Sequence, residues 1–235
     1  MIKTVTAEAF AVAAADVVAE QLHTKPRLVL ALPTGTTPLG LYTELVHRCK
    51  AGTLSLTEAY IFNLDEFCGV PQDDARSFAT FIHRYLVAPL ALAPDRVRLL
   101  RGDAADLQDE CRRYDAAIAQ CGGIDLCVLG LGANGHIAFN EPGCSWDERT
   151  HVVQLANATR AVQQRPSEPD WRVPKSGITL GIGNLLEARR ILLLIAGSNK
   201  TAARDALHRG AADLDWPVTS LLQHPNVTTI ELCAP

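Results

Sequence analysis

The sequence predicts an α/β protein: one domain over residues 1–235, built on a doubly wound, mostly parallel sheet with helices on both faces. Three observations carry this. Short runs rich in Val, Ile and Leu alternate with longer amphipathic stretches, the order that parallel crossovers produce. The runs are apolar at nearly every position, as strands covered on both faces require. Residues able to do chemistry follow directly after these runs, at the carboxyl edge where an open α/β sheet takes its ligand.

Composition narrows the classes further. At 235 residues, 48% hydrophobic and 20% charged, the chain is globular and long enough to bury a core without disulfides. A net charge of −4 offers no field for nucleic acid or an anionic membrane, so neither is expected as a partner. Cysteines at 49, 68, 111, 121, 127, 144 and 233 form no C-x-x-C pair, and a helix begins within about six residues of the start. Together these suit reduced thiols in a cytoplasmic protein. No apolar run approaches the roughly twenty residues that span a bilayer.

Taken in order, a helix starts near Thr6 and runs to about residue 22, and Arg27 to Leu32 is a buried strand. Pro38 at the first helical position, with Leu39, Tyr42, Leu45, Val46 and Cys49 on one stripe, predicts the next helix. Ala59 to Glu66 reads as one strand, and Ser77 to Leu86 as a helix with Phe78, Phe81, Ile82 and Tyr85 inward. Arg96 to Leu100 is a short strand, and Asp103 is placed to cap a helix ending at Gln120 before Gly122-Gly123. Ile124 to Leu129 and His151 to Leu155 are strands, and the proline-bearing stretch 156–174 predicts a mobile loop over a site. Arg190 to Ala196 is a strand, Ser198 caps a helix, and a short helix at 220–223 precedes a last strand, Val227 to Leu232. The whole is Rossmann-like.

Four loops hold the chemistry. Thr34, Gly35, Thr36 and Thr37 offer hydroxyls, free amides and a helix N-terminus, which suit a phosphate, although a threonine cap serving its own helix has the same composition. No Gly-Lys-Ser/Thr follows, so this is not a nucleoside triphosphate loop. Asp65 and Glu66 are neighbours on a strand and face opposite sides, so one of them is structural. Gly130 to Gly143 brings Asn134, His136, Asn140 and Glu141 to a strand's end. Gly130, Gly132 and Gly135 fit G-x-G-x-x-G, but Pro142-Gly143 interrupts any helix and the next strand ends without an acid, which argues against a dinucleotide site. Lys200 in the first turn of a helix opposes the dipole and is better placed for an anion than for stability.

Four segments in order carry a resemblance: Leu-Pro-Thr-Gly-Thr-Thr-Pro from 32, Phe-Asn-Leu-Asp-Glu from 62, Gly-His-Ile-Ala-Phe-Asn-Glu-Pro from 135 and Gly-Ser-Asn-Lys from 197. Nearly end to end, the chain resembles the glucosamine-6-phosphate deaminase family, whose fold is shared with 6-phosphogluconolactonases. The lactonases typically carry Gly-His-Thr-Ala-Ser where this chain has Gly-His-Ile-Ala-Phe, which favours the deaminase branch. The resemblance implies an aldose–ketose isomerisation with deamination of glucosamine 6-phosphate to fructose 6-phosphate and ammonia, needing no metal or other cofactor. Thr34, Gly35, Thr36, Thr37, Arg165 and Lys200 would hold the sugar phosphate. Asp65 would move the C2 proton, and His136, flanked by Asn134 and Glu141, would open the ring.

Galactosamine 6-phosphate is the alternative substrate, since no motif reads the C4 hydroxyl; a lactonase and a silent sugar-phosphate sensor are the more distant alternatives. Many members have aspartate where this chain has Asn134, which leaves Glu141 as the charged partner of His136. The serine, arginine and lysine that bind N-acetylglucosamine 6-phosphate in allosteric hexamers here read Cys144, His151 and Val153. A monomer or small homo-oligomer is therefore expected, without activation by that effector; sigmoidal kinetics relieved by N-acetylglucosamine 6-phosphate would overturn this.

Overall fold

The computed structural model describes residues 1–164, 168 and 170–233. Seven strands form one sheet in the order β1-β10-β9-β6-β2-β3-β5, and every neighbouring pair in it is parallel. These are β1 (Ile2–Val5), β2 (Val29–Leu32), β3 (Tyr60–Asn63), β5 (Val97–Arg98), β6 (Leu126–Gly130), β9 (Arg190–Ile195) and β10 (Val227–Leu232). Strand order reverses between β2 and β6. At such a switch point the two following loops diverge and leave a crevice at the carboxyl edge.

Alternation along each strand sends its side chains to two separate cores. Leu30, Leu32, Ile61, Leu126, Val128, Leu192 and Leu194 face α1 (Ala7–Thr24), α2 (Leu39–Lys50) and α3 (Phe78–Ile82), which continues through a π-turn into α4 (Ala88–Leu90). Val29, Ala31, Phe62, Cys127, Leu129, Ile191 and Leu193 face α5 (Leu107–Gln120), α7 (Ile182–Leu186) and α8 (Thr201–His208). All of these strand residues are fully buried, and each Val, Leu, Ile and Phe among them contributes about 1.5–3 kcal/mol relative to exposure. The expected doubly wound sheet is present.

Local boundaries differ where a cap decides them. Thr6 holds the N-cap position of α1 without a side-chain capping bond, and Pro38 is the residue before α2 rather than its first turn. The cap of α5 is Asp106, not Asp103: its Oδ1 accepts from the amides of Gln108 and Asp109 at 2.8 and 2.9 Å. A cap must immediately precede the first turn, and Asp103 lies three residues too early. Ser198 opens a 3-10 turn, Ser198–Lys200, ahead of α8 and caps neither. β1 was not read from the sequence because its side chains are mostly exposed and only its pairing with β10 defines it.

A second sheet was not expected. The segment read as one strand from Ala59 to Glu66 breaks at Leu64: β3 stays in the large sheet, while β4 (Asp65–Phe67) pairs antiparallel with β8 (Ser176–Thr179), which pairs in turn with β7 (His151–Gln154). Asn63 holds the break. Its Oδ1 accepts from the Leu100 amide and the Tyr114 hydroxyl, both at 2.9 Å, and its Nδ2 donates to the Asp65 carbonyl at 2.8 Å.

Of the two acids after the break, Glu66 is the structural one. It is fully buried, and it accepts from the amides of Phe67, Phe78 and Ala79 at 2.8–3.0 Å, which fastens the start of α3 to β4. Glu66→Ala leaves these buried donors without their acceptor and is expected to cost about 3 kcal/mol or more. Urea denaturation checks this through a lower midpoint.

Candidate active site

One cavity of about 220 Å³ opens at the switch point, the size of a single hexose phosphate. Thr34, Gly35, Thr36 and Thr37 after β2, Asp65 on β4, Asn134 and His136 after β6, and Lys200 at the start of α8 all line it. Four strand ends far apart in sequence, from Leu32 of β2 to Ile195 of β9, meet there because the sheet is parallel and all its carboxyl ends share an edge. Glu141 stands behind this wall, buried, and is joined to the cavity by its hydrogen bond from Asn134. Arg165 lies outside the described residues.

The phosphate-type loop keeps its donors free. Among the described residues, no hydrogen bond engages the amides of Gly35, Thr36 and Thr37. Gly35 adopts φ +98°, a left-handed turn that glycine reaches without strain. The Tyr42 hydroxyl donates to the Pro33 carbonyl at 2.5 Å and pins the loop to α2. Lys200 is half-buried and forms no ion pair among the described residues, and its burial holds its pKa below the usual lysine value.

His136 is oriented by a relay. The Asn134 amide donates through Nδ2 to Glu141 Oε2 at 2.8 Å, and its Oδ1 lies 2.7 Å from His136 Nδ1. A carboxylate only accepts, so it fixes the amide: Asn134 turns its oxygen to the ring, and Nδ1 carries the proton. Nε2 keeps the lone pair. The Glu141 carboxylate itself stays 3.9 Å from the ring, and its other oxygen accepts from the Ala156 amide at 3.1 Å. Gly132 gives the imidazole its space, for a methyl there would lie 2.3 Å from the ring.

A model of the glucosamine-6-phosphate isomerases and 6-phosphogluconolactonase family matches residues 3–230. The chain belongs to this family. Relatives from Lysinibacillus sphaericus and Rhodopirellula baltica, both named glucosamine-6-phosphate deaminase, are 41% and 42% identical over 92% of this chain and 92% and 86% of their own lengths. A solved monomeric glucosamine-6-phosphate deaminase superposes with a TM-score of 0.94 at 37% identity, over 98% of this chain and 96% of that one. A Thermotoga maritima 6-phosphogluconolactonase shares the fold with a TM-score of 0.77 at 19% identity, over 99% of this chain and 98% of that one.

Within this isomerase and lactonase fold, the stretch expected to be a loop from 156 begins instead with α6 (Asn157–Gln163). Ala158, Thr159, Val162 and Gln163 of this helix complete the cavity wall. The sequence reading missed all four. Seven residues make too few turns for an apolar period to show, and the prolines that follow suggested irregular chain.

Electrostatics separate the acids and bases. The Asp65 carboxyl is 7% exposed and makes no hydrogen bond among the described residues, and burial, assisted by Glu66, raises its pKa to about 8. Glu66 is raised to about 7 by burial, against the pull of its three amide donors. His136 is lowered by burial, a shift that Glu141 opposes and Lys200 reinforces. A carboxyl with a folded pKa of about 8, above its unfolded value of 3.8, favours folding below pH 3.8, and this contribution is lost as pH rises toward 8. Asp65→Asn removes that loss, so the thermal unfolding midpoint of the variant should exceed that of the wild type by a margin that widens from pH 4 to about pH 8.

Proposed function

We propose that this chain is a glucosamine-6-phosphate deaminase, converting glucosamine 6-phosphate and water to fructose 6-phosphate and ammonia by acid/base catalysis. The observation that carries the reading is the meeting, in one hexose-sized cavity, of an oriented imidazole with a buried carboxyl and three loop amides that make no hydrogen bond among the described residues. Deaminase relatives near 40% identity support it. The lactonases share the fold at lower identity.

The free amides of residues 35–37, the start of α2 and the Lys200 ammonium supply positive potential for the sugar's phosphate, and so set the position of C1 and C2. His136 Nε2 takes the proton of the anomeric hydroxyl and returns one to the ring oxygen, which opens the pyranose. Its imidazolium is stabilised through Asn134 by Glu141. Asp65 then removes the proton from C2 and delivers it to C1. The electron pair left at C2 closes the C1–C2 double bond as the C1 carbonyl oxygen takes a proton from the C2 ammonium, which gives the enolamine; return of the Asp65 proton at C1 leaves a C2 iminium that water hydrolyses to the ketone with loss of ammonia.

Burial gives Asp65 a preference for amino sugars. Its raised pKa favours the neutral carboxyl near pH 7, and an ammonium at C2 of the substrate would supply the opposite charge that favours the ionised base. A neutral hydroxyl at C2 provides no such pull.

A monomer is supported by the monomeric deaminase at 37% identity. Lack of activation by N-acetylglucosamine 6-phosphate is supported at His151, whose Nε2 lies 3.2 Å from Glu148 Oε2 and whose Nδ1 bonds the Arg149 carbonyl. Seven free thiols suit the reducing cytoplasm.

Ammonia release assayed in parallel on glucosamine 6-phosphate and galactosamine 6-phosphate tests the reaction and the epimer together. Asp65→Asn should lower kcat at least about 10²-fold with KM little changed. Near-normal turnover in that variant would reject Asp65 as the base.

A further inference from the structure

Thr159 stands out among the residues of α6. It is 3% exposed, lines the cavity, and its hydroxyl lies 3.4 Å from His136 Nδ1. A helical threonine ordinarily returns its hydroxyl to the carbonyl four residues earlier, and two others in this chain do so: Thr24 to Glu20 and Thr43 to Leu39, both at 3.0 Å. Thr159 does not. Among the described residues, the imidazole is the one hydrogen-bonding neighbour of its hydroxyl.

The same helix is tied to the relay at its start. Ala156, its N-cap residue, donates to Glu141 Oε1, while Asn134 occupies Oε2 of the same carboxylate. Both ends of the path from Glu141 to His136 therefore touch α6, one through a backbone amide and one through a hydroxyl. An amide at 134 makes this second contact matter. Asn134 brings no charge of its own to the ring, and Glu141 is too distant for a direct hydrogen bond.

We propose that Thr159 is a positioning residue for His136, its hydroxyl accepting a second share of the Nδ1 proton so that the placement of the imidazole depends on the seating of α6. The proposal rests on the reading of His136 as the ring-opening group. Among the described residues, the charged groups around this imidazole are Glu141 on its own loop, Lys200 at the head of α8 and Asp65 across the cavity. None of them lies on α6, so a substitution at 159 leaves their charges in place.

Thr159→Val keeps the shape and removes the hydroxyl; Thr159→Ser keeps the hydroxyl and removes a methyl. The loss of one hydrogen bond corresponds to about 3- to 10-fold in rate. Thr159→Val should lower kcat on glucosamine 6-phosphate by that factor, with KM within about 2-fold, and Thr159→Ser should restore most of it. An acceptor facing Nδ1 stabilises the imidazolium more than the neutral ring, so its removal should also move the NMR titration of the His136 ring in the empty enzyme to lower pH.

Wild-type kcat and an unmoved titration in Thr159→Val would overturn the proposal. Equal impairment in Thr159→Ser would overturn it too, by assigning the effect to packing of the methyl. His136→Gln separates this from the underlying reading: full activity in that variant removes the ring-opening role, while a shifted His136 titration in Thr159→Val still supports the contact.

Discussion

Two adjacent carboxyl groups taken out of water at residues 65 and 66 set the terms for the rest of this molecule. Burial of a carboxylate is costly unless hydrogen bonds or opposite charge replace its hydration. The chain offsets that cost in part for one of the two. Glu66 collects three amides and becomes the joint between β4 and α3. Asp65, one residue earlier and therefore on the opposite face, receives no such donor among the described residues and is left at the cavity with its charge disfavoured. One neighbour stabilises the fold, and the other holds a reactive group ready at a cost to the fold.

That division needs the strand to break. Were residues 59–66 one continuous strand of the large sheet, both acids would lie in line with β3, one over each core. The side chain of Asn63 prevents this by holding the Asp65 carbonyl on one side and the Leu100 amide on the other, and residues 65–67 turn into the small antiparallel sheet. Thr179, opposite Asp65 in that sheet, also accepts from the Phe139 amide and so anchors the loop that carries His136. The second sheet is thus the frame that fixes the carboxyl and the imidazole relative to one another.

The imidazole is controlled differently, by orientation more than by charge. Asn134 as a spacer keeps Glu141 at 3.9 Å, so the carboxylate directs the amide, and the amide directs the ring. Burial and Lys200 push His136 toward its neutral form while Glu141 opposes them, which favours a group that accepts a proton at Nε2 and releases it again.

Much of this was legible in the chain. The apolar runs gave six of the seven strands of the large sheet, because side chains buried on both faces leave a continuous hydrophobic signal, and the loops after β2, β3, β6 and β9 were marked as the places where chemistry would lie. The sequence alone also determined that only one of Asp65 and Glu66 faces a given side, from the two-residue repeat of a strand. What it did not contain is every feature made by contact between distant segments. β1 exists through pairing with β10, the strand break through Asn63 meeting Leu100 and Tyr114, and the place of α6 through an amide reaching Glu141. Which acid is satisfied and which is exposed to the cavity was likewise decided by tertiary structure, since the hydrogen-bond donors that distinguish them arrive from residues 78 and 79, on an element that local sequence around 65 does not specify.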